Sequence, residues 1–458
     1  MSSHLHRRLV PVVMVGVFTL PTSLCAADAA SPSNDAKSAL DRALENSDSS
    51  SAAGVQSLNK PTSTTLAQIG GGGGTPTLKL IDICLDVLTA GGASTATDLQ
   101  LENLQGGEHD PKRRGFTFQQ AELSFSGAVD PYFNLQAHIV YREDAVELEE
   151  AYGTTTQLPA QLQLKVGYYL TEFGRTNPQH PHQWPWLDQP VVNSRLFGPD
   201  GNRAVGARIS WLAPLPWFSE ILIGMQNPND PTERSFEGGE APENGPALTI
   251  GGRPGVTQTT RSLADFLYAV RWVNNWELPA DTMLQLGFSG AFGPNNTGLT
   301  GRTTLLGADL LVKWHESIRG LPNIVWQSEI IARKYQADEG VDPTLATIIP
   351  SDVLRDWGLS SQVLVGFYPR WAAGFRGEYA SGSGDSYEVG NGSVSRQSDP
   401  WRDDRWRLSP LVTFNPSEFS KIRLQYTYEH AEHLPTHYAQ SVWIGLELMI
   451  GAHPAHNY

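Results

Sequence analysis

The sequence predicts an all-β protein: a transmembrane, antiparallel up-and-down β-barrel of about 16 strands, preceded by a disordered N-terminal periplasmic segment. Three observations carry that expectation. Apolar and polar residues alternate through whole segments such as Lys421–Glu429, the connections between segments alternate short and long, and aromatic residues gather at segment ends.

Composition narrows the classes first. Of 458 residues only 18% are charged, while Gly (44), Pro (31), Trp (13), Tyr (14) and Phe (16) are plentiful. The formal net charge of -15 argues against a nucleic-acid partner, because no basic patch dominates to neutralise phosphates. Two cysteines cannot build a disulfide scaffold or a cysteine-rich metal site. A mean hydropathy of -0.30 argues against a helical membrane protein, but barrel strands are only half apolar and escape that argument.

At the N-terminus, Arg7 and Arg8 precede the apolar run Leu9–Leu20, and the small residues Cys25, Ala26 and Ala27 follow. This is the layout of a cleaved signal peptide over residues 1–27, and the apolar run is too short to cross a bilayer as a helix. Residues 28–76 are rich in Ser, Ala, Thr and Gly, with too little apolar surface for a core, and read as a flexible periplasmic linker.

From residue 77 to 458 the period is two. Ile422, Leu424, Tyr426 and Tyr428 share one face against Arg423, Gln425, Thr427 and Glu429. Leu135, Ala137 and Ile139 oppose Asn134, Gln136 and His138; Leu164, Val166 and Tyr168 oppose Gln163 and Lys165; Val442, Ile444, Leu446 and Leu448 oppose Glu447. Such segments put one face against an apolar medium and the other against water, and their length suits a tilted bilayer crossing. Short turns fall at 127–132, 154–160, 213–218, 274–280, 316–322, 368–370 and 415–420. Between them lie the mostly longer connections 90–112, 172–202, 227–263, 293–302, 337–353 and 381–404, with two short ones at 143–145 and 431–436. Trp211, Trp217, Trp272, Trp276, Trp314, Tyr368, Trp371 and Trp406 stand where amphipathic rings would meet lipid headgroups. That pattern is a bacterial outer-membrane barrel, with lipid outside and small solutes or ions as the traffic.

A barrel of this size leaves room for an aqueous lumen. The inward positions carry both signs, among them Lys165, Arg208, Arg271, Arg376, Arg423, Asp82 and Asp86, with bases in excess. Those charges either bias the traffic toward anions or pair along the wall. The connection 171–202 stands apart, with four prolines and two tryptophans between Pro178 and Pro190. Its stiffness marks it as the loop that folds inward and narrows the lumen, with Arg175 and Arg195 at the constriction. Within it His180, His182 and Asp188 are candidate ligands for a divalent metal, since neutral imidazole suits zinc, against the plainer reading of loop packing. His430, His433 and His437 in the last outer connection, and His453 and His456 beyond the final strand, are further candidates for transient capture. No resident cofactor is expected beyond transient zinc, and no spacing of Ser, His and acid singles out a catalytic site.

Gly167-Tyr168-Tyr169, Phe173-Gly174-Arg175, Asn177-Pro178-Gln179-His180-Pro181-His182, Asp188-Gln189-Pro190 and the closing Gly451-Ala452-His453-Pro454-Ala455-His456 resemble a family of small bacterial outer-membrane proteins. The family is known as zinc-regulated TonB-dependent outer-membrane receptors, and the chain also looks like the broader porin O/P group. The first resemblance implies a barrel engaged in metal-ion uptake; the second implies passive diffusion, and porins are often homotrimers. The roughly fifty residues ahead of the first strand are far fewer than a TonB-dependent plug, and no motif for an energy-transducing partner is visible. The expectation is therefore a porin-like channel, not an enzyme, for small solutes or divalent metal such as zinc. A metal receptor without a full plug and an adhesive or structural barrel are the alternatives.

Overall fold

The computed structural model describes residues 81–238, 250–256, 258–316 and 320–451. The signal peptide and linker expected over residues 1–76, and His453 and His456, lie outside them. Sixteen antiparallel strands close into one barrel. They are β1 (Asp82–Ser94), β2 (Gly115–Ala128), β3 (Phe133–Tyr141), β4 (Val146–Thr155), β5 (Leu162–Leu170), β6 (Arg203–Leu212), β7 (Phe218–Gln226) and β8 (Leu267–Leu278). The second half comprises β9 (Thr282–Pro294), β10 (Arg302–His315), β11 (Asn323–Ala337), β12 (Asp352–Tyr368), β13 (Trp371–Ser383), β14 (Arg405–Ser417), β15 (Ser420–Ala431) and β16 (Tyr438–Gly451). Each strand pairs with its sequence neighbours, and β1 closes on β16 from Cys84 opposite Gly451 to Ser94 opposite Ser441, so neither edge is left open.

Alternation is strictest in β15 and β16. Ile422, Leu424, Tyr426, Val442, Ile444 and Leu446 are exposed on the outside, whereas Arg423, Gln425, Thr427 and Glu429 are buried inside. Apolar side chains are exposed on the outward faces of all parts of the wall, including Val166, Val205, Ile223, Leu306 and Ile330. This reverses a water-soluble protein, whose apolar side chains go inward. Trp211 and Trp272 are exposed on the same surface, and Tyr368 and Trp371 are exposed at the short-turn rim.

The short turns join one rim and the longer connections the other, as the sequence predicts. The long connections hold two short helices, α1 (Asp98–Leu104) and α2 (Val191–Phe197). Thr97 caps α1: its side chain accepts from the backbone N–H of Gln100, whose own side chain accepts from the Thr97 N–H. A two-residue ribbon (Gly340–Val341 with Ile348–Ile349) and a three-residue one (Ser386–Glu388 with Gly392–Val394) stiffen two others.

Candidate functional site

The connection 171–202 does not stay at the rim. It turns into the barrel, and none of its residues is exposed. The loop expected to narrow the lumen packs across the interior and reaches β8, β10 and β11. Phe173, Val192, Leu196 and Phe197 form an apolar cluster with Phe236, Leu267, Leu305 and Ile331. Leu187 joins a second cluster with Leu101 and Leu104 of α1 and with Trp443. The wall is shaped for these side chains: a Cβ at Gly445 would overlap Leu187, and one at Gly358 or Gly307 would press on Val192 or Phe173. Burial of that many apolar groups is what a proline-stiffened loop needs to hold one seat.

Polar contacts fix its orientation. The Trp186 indole N–H donates to the Ser409 carbonyl at 2.9 Å, and the Leu187 N–H donates to Gln425 Oε1 at 2.9 Å. Arg423 donates to the Trp184 carbonyl at 3.0 Å. Thr176 Oγ1 donates to Glu329 Oε2 at 2.6 Å, and the Val191 N–H to Glu378 Oε1 at 2.8 Å. Asp188 sits between two guanidinium groups: Arg376 Nη2 bonds Oδ1, and Arg407 Nη1 lies 3.1 Å from Oδ2. Glu378 completes the cluster, 3.0 Å from Arg376 Nε and 2.5 Å from Arg407 Nε. Burial works against ionisation of Asp188, yet the two arginines hold its carboxyl below the usual carboxylate range. Arg195 reaches Asp403 at 2.5 Å, and burial brings its pKa down to about 10.

At the short-turn end the loop tip, Gln183–Pro185, forms the floor of a cavity of about 310 Å³ whose walls include Asn323, Tyr368, Arg370, Thr413, Asn415 and Lys421. The cavity is a vestibule, with the loop between it and the long-loop rim.

The inward charges of the wall are largely paired. Lys165 and Arg208 share Glu172, Arg271 meets Asp309 at 2.6 Å, Arg405 meets Glu429, and Lys421 and Arg423 share Glu447. Cross-pairing, one of the two expectations for these charges, is present at these positions. Arg175 lies near Asp309 and Glu329, with its charge disfavoured by burial. Asp82 and Asp86 are on the inward side of β1.

His180 and His182 meet an acidic stretch of wall on β1–β4. His180 Nδ1 lies 2.8 Å from Glu149 Oε2 and 3.4 Å from Glu122 Oε2; its Nε2 lies 2.9 Å from Glu150 Oε2. His182 Nδ1 is 3.0 Å from Glu122 Oε2, and His138 Nδ1 of β3 is 2.9 Å from Glu122 Oε1. The His138 and His180 ring centroids are 4.5 Å apart. Burial disfavours the imidazolium of His180, but Glu122 and Glu149 outweigh it and hold its pKa well above the ordinary value; for His182, burial is likewise outweighed by Glu122, which raises its pKa. The donor set, imidazole and carboxylate, fits a divalent transition metal.

Asp188, expected beside the two histidines, is instead engaged by Arg376 and Arg407. The last connection divides its histidines. His433 turns to Asp403 at 2.8 Å, while His430 and His437 stack at 5.8 Å beside Trp406 and Tyr438. Sequence reasoning missed Glu122, Glu149 and Glu150. Alternation allows only one of two consecutive residues to face inward, but the β3–β4 register shifts between His138 and Ile139, and the resulting bulge turns both Glu149 and Glu150 into the lumen. Ser124 Oγ lies 3.0 Å from His138, but on the same ring nitrogen that Glu122 approaches, so the trio lacks the relay geometry of a catalytic triad.

No family model matches the chain. An uncharacterized protein of Aquifex aeolicus (strain VF5) is 32% identical over 334 residues, covering 70% of this chain and 65% of that protein, so the chain spans less than two thirds of that relative's length. Similar solved structures include the outer membrane channel DcaP of Acinetobacter baumannii (TM-score 0.48, 9% identity, 81% of this chain and 97% of that one). The anion-selective porin from Comamonas acidovorans has a TM-score of 0.45 at 7% identity, covering 81% of this chain and 99% of that one. A loop-deletion mutant of OmpT, an outer membrane protein of Vibrio cholerae, has a TM-score of 0.45 at 8% identity, with the same coverage of 81% and 99%.

Proposed function

We propose that the chain is a bacterial outer-membrane channel of the porin type, with connection 171–202 as the element that sets passage. One observation carries this reading: an apolar outer wall encloses a charged, polar inner wall, and the connection 171–202 crosses the interior, held there by both side-chain and backbone contacts. An apolar exterior around a closed sheet is stable in lipid and a liability in water. A sixteen-stranded wall has the girth for an aqueous path once the loop is displaced. Small hydrophilic solutes and ions are the traffic such a lumen suits. The histidine and carboxylate cluster favours divalent metal as a second cargo reading. Among the described residues the lumen is filled by a connection between neighbouring strands, as in a constricted porin, rather than by a separate plug domain.

The test is single-channel recording of the refolded chain in a planar bilayer, beside a variant lacking Gln179–Asp188. The reading expects discrete steps, and larger or more frequent ones in the deletion. Silence from both proteins, with the barrel shown to be folded, overturns it.

A further inference from the structure

We propose that Glu122, His138 and His180, with His182 as a fourth donor, form a divalent transition-metal site that clasps the loop to the barrel wall. The binding part stands by itself; the effect on passage rests on the channel reading above.

The argument begins with origin. Glu122 and His138 belong to β2 and β3 of the wall, whereas His180 and His182 belong to the loop, so one ion bound by all four would crosslink the two. One ligand atom from each of Glu122, His138 and His180 lies within 4.8 Å of the other two. Tetrahedral zinc with bonds of about 2.0–2.1 Å separates its ligands by about 3.3 Å. The carboxylate of Glu122 stands 2.9, 3.4 and 3.0 Å from ring nitrogens of His138, His180 and His182, close to that spacing before any ion is inserted. Glu150 lies 2.9 Å from the second nitrogen of His180, the place where a carboxylate orients a metal-bound imidazole.

A second observation points to a cation here. Asp86 is 3% exposed, lies opposite Glu122 in the β1–β2 register, and neither of its carboxylate oxygens has a hydrogen-bond partner. Asp86, Glu122, Glu149 and Glu150 thus converge beside three imidazoles. Arg203 approaches Glu149 at 3.7 Å, and Lys421 and Arg423 act on Asp86 only from a distance, without a hydrogen bond to either of its oxygens. A dipositive ion would add positive charge beside Asp86.

The experiment uses the full mature chain without an affinity tag, with His453 and His456 replaced by Ala in every protein to remove background. After chelator treatment, zinc is titrated calorimetrically and cobalt(II) by its visible spectrum. The expected result is one ion per chain with the absorption of an imidazole and carboxylate site. Saturable binding is lost in His138→Ala and Glu122→Gln, and weakened about 10- to 100-fold in Glu150→Gln. His315→Ala, exposed at the short-turn end of β10, keeps it. Circular dichroism verifies the barrel in each variant. Absence of saturable binding in the folded chain, or equal binding in His138→Ala, overturns the site.

The clasp is read by trypsin, which cuts after Arg175 and Arg195 only when the loop leaves its seat. Zinc should slow both cuts in the chain but not in His138→Ala, and should reduce conductance until chelator is added. Binding without protection overturns the clasp and leaves the ion as cargo. Protection without conductance in any protein instead refutes the channel reading.

Discussion

Replacing Asp188 by Asn removes the negative charge between Arg376 and Arg407 with almost no change of shape. Both guanidinium groups are nearly inaccessible to water, and the side chain of Asp188 is fully buried. Removing one partner of a buried pair generally costs about 3–5 kcal/mol, because the remaining charge is left without compensation. Glu378 still faces both arginines at 3.0 and 2.5 Å, which places the effect near the lower end of that range. About 3 kcal/mol corresponds to roughly two powers of ten in an equilibrium constant. The arginines belong to β13 and β14 and stay with the wall, so the strain falls on the seating of the loop. The Asp188→Asn channel should therefore open roughly a hundredfold more often in single-channel recordings, with strand content unchanged. An open probability equal to that of the unmodified chain, in a folded barrel, would refute the assignment of this cluster as the loop's anchor.

Two further outcomes follow from the same seating. Gly445→Val fills the recess that receives Leu187, so the loop tip should be displaced and single-channel conductance should rise; a crystal structure of the variant with Leu187 still in place would contradict this. Glu172, between Lys165 and Arg208, is resisted by burial but held down to about 2 from 4.5 by those two cations. A depressed carboxyl stabilises the fold above its ordinary value, and that contribution, on the order of 3 kcal/mol, is lost as pH falls from about 4.5 toward 2. The unfolding free-energy difference between the chain and Glu172→Gln should be constant above pH 5 and shrink below it; a difference independent of pH across that window would remove Glu172 from the anchoring.

The barrel was legible in the sequence because its determinants are local. Alternation in Lys421–Glu429 fixes which side chains point outward whatever the strand pairs with, and the turn residues set the order of short and long connections. The inward direction of Arg376, Arg423 and Lys165 followed from the same parity, and the four prolines singled out residues 171–202 as an ordered loop. Parity could not say where that loop goes. Its seat depends on Gly445, Gly358 and Gly307 leaving room on strands far apart in sequence, and on Asp188 finding Arg376 and Arg407 more than 180 residues away.

The histidine cluster divides in the same way. His180 and His182 are visible as a pair two residues apart, and His138 is visible as inward on its strand. Their meeting at Glu122, and the bulge that turns Glu149 and Glu150 to the same side, arise from register and loop seating. Local periodicity is a property of neighbours along the chain and is written in the sequence. The joining of loop to wall is decided by shape and charge complementarity between segments that only the closed barrel brings together.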